Sequence, residues 1–97
     1  MYNSYLISYE VDASVDAAGR GRSAVLEELS RAIRSYDAWA RITDSTWAIS
    51  SERTVTQVRD GLLRILRQSD RLIVVQSAHV AAWSNTICNN EWLRNNI

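Results

Sequence analysis

The order of the predicted segments constrains the fold of this chain more than any other feature. Four segments have the alternating or β-rich pattern of strands, and two have apolar residues at helical spacing. The predicted strands cover residues 4–11, 39–43, 46–50 and 72–75, and the helices begin near residues 23 and 54. The order βαββαβ predicts an α+β, ferredoxin-like fold: a four-stranded antiparallel sheet with two helices on one face. This plan hosts many unrelated activities, so it leaves function open.

Local signals place the ends of these elements. Ser23 is the predicted N-cap of the first helix, because its hydroxyl can accept from a free backbone N–H. Thr54 with Gln57 three residues later matches a capping box at the start of the second helix. Asp44 and Ser45 have the chemistry of a tight turn between the two middle strands. We therefore expect a β-hairpin between the two helices.

The two faces of the first strand differ in character. One face carries the bulky residues Tyr5, Ile7, Tyr9 and Val11, and the other carries Leu6, Ser8 and Glu10. We expect helices to cover the first face, and either water or a partner to cover the second. The continuous apolar run 72–75 predicts a last strand covered on both faces.

The C-terminal tail carries two tryptophans among polar residues. We expect a short helix or a strand extension there, docked on its own sheet or on a neighbouring subunit. The predicted homodimer interface comprises Leu6, Ser8, Trp83 and Trp92. A small core makes stabilisation by self-association useful.

Composition bounds the class of protein. The 97 residues predict a single domain over positions 1–97, and 46% apolar content excludes a disordered chain. Eleven acidic residues balance eleven basic ones, all of them arginine, so no overall field attracts nucleic acid. One cysteine cannot form an internal disulfide, and no apolar run approaches the roughly 20 residues of a membrane span. No secretory signal pattern is present. We expect a cytoplasmic protein without a membrane partner.

Glu10 and Asp12 are the first candidate catalytic and metal-binding residues. They follow one another at i and i+2 at the end of the first strand, and carboxylates there are hard oxygen ligands for Mg²⁺ or Mn²⁺. A metal so held could activate water for phosphoryl chemistry. If two protomers packed by this face, four carboxylates could approach across a two-fold axis. The simpler alternative is a pair of solvated loop residues.

Arg20 and Arg22 are the candidate nucleic-acid-binding residues. They alternate with Gly19 and Gly21 ahead of the first helix, where free N–H groups and positive charge could hold a phosphate. The stretch matches no phosphate-loop signature, so a flexible connector is the alternative reading.

Four segments carry a resemblance to a known group: YLISYEVD, DSTWAIS, RLIVVQSA and NNEWLRNNI. They resemble short bacterial and phage proteins that often have a SinR-type label. That group is similar in fold to the small CRISPR-associated subunit of the spacer-acquisition complex and to VapD ribonuclease toxins. The resemblance implies a homodimer whose sheets face each other and, in some members, a metal-dependent nuclease.

The chain departs from that pattern at the implied nuclease site. In nuclease members an aspartate ends the first strand, whereas this chain has Glu10, one methylene longer. The arginines Arg20 and Arg22 also lie further along the chain than the resemblance implies. We therefore expect a dimeric, non-catalytic, nucleic-acid-associated or scaffold subunit, with nucleic acid or a larger protein as partner. The alternatives are a Mg²⁺- or Mn²⁺-dependent endoribonuclease or endodeoxyribonuclease, and a protein-interaction or small-ligand module without nucleic acid.

Overall fold

The computed structural model describes residues 2–97, which form an α+β fold. The strands are β1 (Asn3–Glu10), β2 (Ala38–Thr43), β3 (Thr46–Ser51) and β4 (Arg71–Gln76). The helices are α1 (Arg22–Arg34), α2 (Val55–Leu63) and α3 (Asn90–Asn96). The strands make one antiparallel sheet in the order β2-β3-β1-β4, which is compatible with a ferredoxin-like fold. This confirms the predicted fold class.

The main core lies between one face of the sheet and helices α1 and α2. Its strand residues include Tyr5 and Ile7, each at most 1% exposed, as the alternation of β1 predicts. The helices contribute the buried residues Val25, Leu29, Ile33, Val58 and Leu62. Burying an apolar side chain of this size contributes roughly 1.5–3 kcal/mol, so this layer supplies much of the folding free energy.

One of the two predicted helix starts is correct. At α2, the Gln57 N–H donates to Thr54 Oγ1 over 3.1 Å, and the Thr54 N–H donates to Gln57 Oε1 over 2.9 Å. This reciprocal pair is the predicted capping box. At α1 the N-cap is Gly21, without a side-chain hydrogen bond, so the prediction of Ser23 as N-cap is wrong. Arg22 already belongs to the helix, and Ser23 lies in its first turn.

The last strand is covered on one face only, so the prediction of cover on both faces is wrong. Leu72 and Val74 pack against the core beneath α2. Ile73 and Val75 point the other way and are 59% and 41% exposed. The reason is the place of β4 at the edge of the sheet, with both main helices on the opposite face.

The tail after β4 docks on its own sheet. The Cys88 N–H donates to the Arg41 carbonyl oxygen over 2.9 Å, and the Ile87 N–H donates to that of Ile42 over 3.0 Å, so the tail follows the outer edge of β2. The tail then forms α3, where Leu93 is 2% exposed.

Small residues on the face opposite α1 and α2 are buried as well. They are Ala40, Ala48 and Ser50, all on β2 and β3. We attribute this cover to the tail, because α1 and α2 pack on the other face. Of the two predicted placements, the tail therefore takes the one on its own sheet, as a helix. None of the helices in residues 2–97 has the length and apolar character needed to cross a bilayer.

Candidate functional site

The loop between β1 and α1 is held by a buried ion pair that lies just before β4. The Arg67 Nε donates to Asp70 Oδ2 over 3.1 Å, and these side chains are 8% and 0% exposed. Arg67 also donates to the backbone oxygens of Asp12, Ser14 and Arg20. The Asp12 N–H in turn donates to Asp70 Oδ1 over 2.8 Å. We call Arg67 and Asp70 the clasp, because together they fasten the loop to the segment before β4.

The hydrogen bonds around Asp70 determine the charge of its carboxyl group. Burial raises the pKa of its carboxyl, but hydrogen bonds from the Arg67 side chain and from the backbone of Arg67 and Asp12 lower it by more. The net pKa is lowered, so Asp70 is ionised at neutral pH. A buried carboxylate is tolerated here because each of its two oxygens accepts two hydrogen bonds.

Glu10 lies at the end of β1 on the sheet face opposite α1 and α2. It is paired in register with Arg71 of β4, and the Arg71 guanidinium donates to its carboxylate. Both side chains are exposed. Arg71 thus places a positive charge beside this carboxylate, in an exposed pair that solvent screens.

Asp12 is turned toward its own loop. Its Oδ2 accepts from the Ser14 N–H over 3.1 Å, and the hydrogen bonds from Ser14 lower the pKa of the carboxyl. Within residues 2–97, no group of three or more His, Cys, Asp or Glu side chains is arranged to hold a metal ion. Glu10 and Asp12 are each engaged within one chain, Glu10 by the Arg71 guanidinium and Asp12 by the backbone of its own loop.

Arg20 fastens three elements together. Its Nε donates to Asp16 over 3.1 Å, Nη1 donates to Glu28 over 2.9 Å, and Nη2 donates to the Ile65 carbonyl oxygen over 2.9 Å. The hydrogen bonds with Asp16 and Glu28 raise the pKa of the guanidinium. Every nitrogen of the group therefore has an internal acceptor, and two carboxylates offset its charge. A phosphate would have to displace them.

Arg22 is more open to solvent. Its Nε donates to the Val11 carbonyl oxygen over 3.0 Å, and the residue is exposed at the start of α1. Gly19 has a φ of +83°, which gives the loop its left-handed turn. The glycine- and arginine-rich stretch is thus tied to the residue after β1 by Arg22, and to α1 and the segment after α2 by Arg20.

The residues predicted at the dimer interface do not form one patch. Leu6 and Ser8 lie in β1, opposite Val75 and Ile73 of β4. Trp92 lies beside β2, on the far side of the sheet order, and lines a groove with Trp39. The Trp83 indole N–H donates to Asn90 Oδ1 over 3.1 Å within the tail.

An uncovered apolar strip remains next to β1. Leu6 is partly exposed, and Ile73 and Val75 are the exposed apolar residues beside it. We call Leu6, Ile73 and Val75 the free strip. Sequence reasoning missed the two β4 members because a continuous apolar run does not reveal which face stays open.

No protein-family model matches the chain, and a search of curated proteins finds no significant match.

Proposed function

We propose that the protein is a non-catalytic, homodimeric scaffold subunit. The observation that carries the proposal is the free strip, with Ile73 59% and Val75 41% exposed on the sheet face that the tail leaves open. Exposed apolar residues gathered on one strand mark interaction surfaces more often than isolated ones do.

The state of the acids supports a role without catalysis. Glu10 is bound to Arg71, and the Asp12 carboxylate accepts from the backbone of its own loop. A nuclease would need these oxygens free for a metal or for a water proton. Their present contacts fit structural roles at the end of β1.

The state of the arginines supports a scaffold in preference to a strong nucleic-acid binder. Arg20 and Arg67 are directed inward, and the formal net charge of the chain is zero. Non-specific affinity for nucleic acid comes mainly from phosphate contacts with free basic side chains. We therefore expect any nucleic acid to be bound weakly by the dimer alone, and a larger partner to supply the affinity.

Two measurements test this proposal. Light scattering after size exclusion should give a mass of about 22 kDa at tens of micromolar, twice the 11.0 kDa of the chain. A mass that stays at the monomer value at these concentrations overturns the homodimer.

The second measurement is cleavage of single- and double-stranded RNA and DNA with Mg²⁺, Mn²⁺ or EDTA. Wild type, Glu10→Ala and the control Glu27→Ala should all be inactive. Glu27 is a matched control because it, too, pairs with a surface arginine, Arg31. Metal-dependent cleavage that is lost only in Glu10→Ala would make the protein a nuclease.

A further inference from the structure

We propose that a second copy of the chain binds along the outer edge of β4, so that two sheets join into one of eight strands. This inference rests on the proposed homodimer and specifies its surface. It differs from a dimer in which two sheet faces stack, because here the backbone of β4 itself makes the contact.

The outward groups of β4 follow from its pairing with β1. The Ser77 N–H donates to the Ser4 carbonyl oxygen over 2.8 Å, so Ser77 faces β1. In an antiparallel pair, alternate residues direct their N–H and C=O toward the partner strand. Leu72, Val74 and Gln76 therefore direct theirs outward. Among residues 2–97, none of these outward groups has a hydrogen bond.

The two edges of the sheet are treated differently. The edge of β2 is covered by the tail, through the bonds from Ile87 and Cys88. The edge of β4 has no such cover, and the strand has no lysine, proline or bulge that would discourage pairing. A groove of about 260 Å³ between α2 and β4 opens beside it. An uncovered, apolar edge of this kind is a template for another strand.

Symmetry selects the register of such a pairing. Opposed residues of an antiparallel pair lie on the same face of the sheet, so a two-fold axis perpendicular to the joined sheet must pass midway between one residue of β4 and the same residue of the copy. With the axis at Val74, three pairs of outward residues face each other across the two chains. Val74 faces Val74 of the copy, Leu72 faces Gln76 of the copy, and Gln76 faces Leu72 of the copy. Each such pair makes two hydrogen bonds. An axis at Ile73 or Val75 allows only two such pairs.

The same register also matches the side chains. Ile73 comes to lie opposite Val75 of the second copy, and Val75 opposite Ile73, so the exposed apolar residues of β4 contact each other side by side on one face of the joined sheet. Arg71 comes to lie opposite Ser77, so no like charges meet across the axis. The two β4 members of the free strip, Ile73 and Val75, are therefore complementary to their own copies under this one rotation, while Leu6 lies one strand further in.

Cysteine cross-linking tests the register. In a Cys88→Ser background, the double variant Ile73→Cys/Val75→Cys is compared with each single variant. The opposed Cα atoms would be about 4.5 Å apart, within disulfide range, whereas Ile73 and its own copy would be about 8 Å apart. We expect a covalent dimer on a non-reducing gel from the double variant and not from either single variant. Cross-linking of Ile73→Cys alone would overturn the register.

Paired charges provide a second test that needs no oxidation. Ile73→Lys/Val75→Lys would oppose like charges and should raise the dimer dissociation constant by about tenfold or more. Ile73→Lys/Val75→Glu has the same number of new charges but opposes unlike ones, and should bind more tightly than the Lys/Lys variant. Equal dissociation constants for the two variants would overturn the proposal.

The outcomes separate this inference from the homodimer itself. If the wild type is a dimer, but the cysteine double variant does not cross-link and the two charge variants have equal dissociation constants, the dimer uses another surface. The edge pairing then fails and the homodimer stands. A wild-type monomer removes both.

Discussion

The substitution Arg67→Met tests whether the clasp holds the loop after β1. Methionine keeps a long side chain but removes the guanidinium, which donates to Asp70 and to three backbone oxygens. Asp70 would keep only the N–H groups of residues 12 and 67, each 2.8 Å from an oxygen. Its carboxylate has no exposed surface in the wild type, so removing the guanidinium takes away donors that the fold supplies in place of water. Removing one partner of a buried ion pair costs about 3–5 kcal/mol.

That cost is large against the whole stability of a domain. Domains of this size unfold with about 5–15 kcal/mol, and each kcal/mol moves Tm by roughly 4–8 °C. We expect a Tm at least about 12 °C below that of wild type, measured by circular dichroism, with a matching loss in urea. Arg31→Met is the control, because Arg31 and Glu27 are 70% and 71% exposed. Such a surface pair contributes about 0.3–0.5 kcal/mol.

A third variant separates lost charge balance from lost packing. In Arg67→Met/Asp70→Asn the buried group is neutral, so part of the stability should return relative to Arg67→Met. If Arg67→Met falls within about 1 kcal/mol of Arg31→Met, the loop is not held by this pair.

Three further predictions concern pH, the core and the helix cap. The fold lowers the pKa of Asp70, so the stabilisation from its ionised carboxylate is present above the ordinary aspartate pKa of about 3.9. That stabilisation is lost as the pH falls through the lower folded pKa. We expect this loss in the urea midpoints of wild type measured from pH 2 to 6, and not in those of Asp70→Asn. Tyr9→Phe removes the hydroxyl that accepts from the buried Trp47 indole N–H over 2.9 Å, and should lower the free energy of unfolding in urea by about 1–3 kcal/mol. Tyr2→Phe is the control and should lower it by less, because the Tyr2 hydroxyl is exposed. Thr54→Ala removes the capping-box acceptor and should cost about 1 kcal/mol, with Thr54→Ser close to wild type.

The fold was predictable because its signals are local. The alternation of β1 identified its buried face, and Thr54 with Gln57 marked the start of α2. The start of α1 was harder, since Gly21 caps it with an extended backbone and no side chain. Serine near a helix start is a statistical preference for the N-cap position, and it does not fix the residue at which the helix begins.

The candidate site depends on contacts that sequence periodicity does not encode. Arg67 and Asp70 stand three residues apart, which suggests a pair, but nothing in the sequence shows that Arg67 reaches the backbone of Ser14, 53 positions away. The sequence leaves the basic stretch open between a phosphate site and a flexible connector, because the acceptors Asp16 and Glu28 become neighbours of Arg20 only in the fold. The same limit hid the open face of β4.

The clasp and the proposed interface are mechanically connected. Asp70 directly precedes β4, and its carboxylate binds the N–H of Asp12 just beyond the end of β1. The clasp thus fixes the point at which β4 enters the sheet, next to the Glu10–Arg71 pair. Since an edge strand pairs with a partner only if its outward groups are held in line, loosening the clasp should weaken the dimer as well as the fold. In the Arg67→Met variant, at a temperature where it is still folded, we therefore expect a higher dimer dissociation constant than in Arg31→Met. Equal constants would mean that β4 is held in line by its pairing with β1 alone.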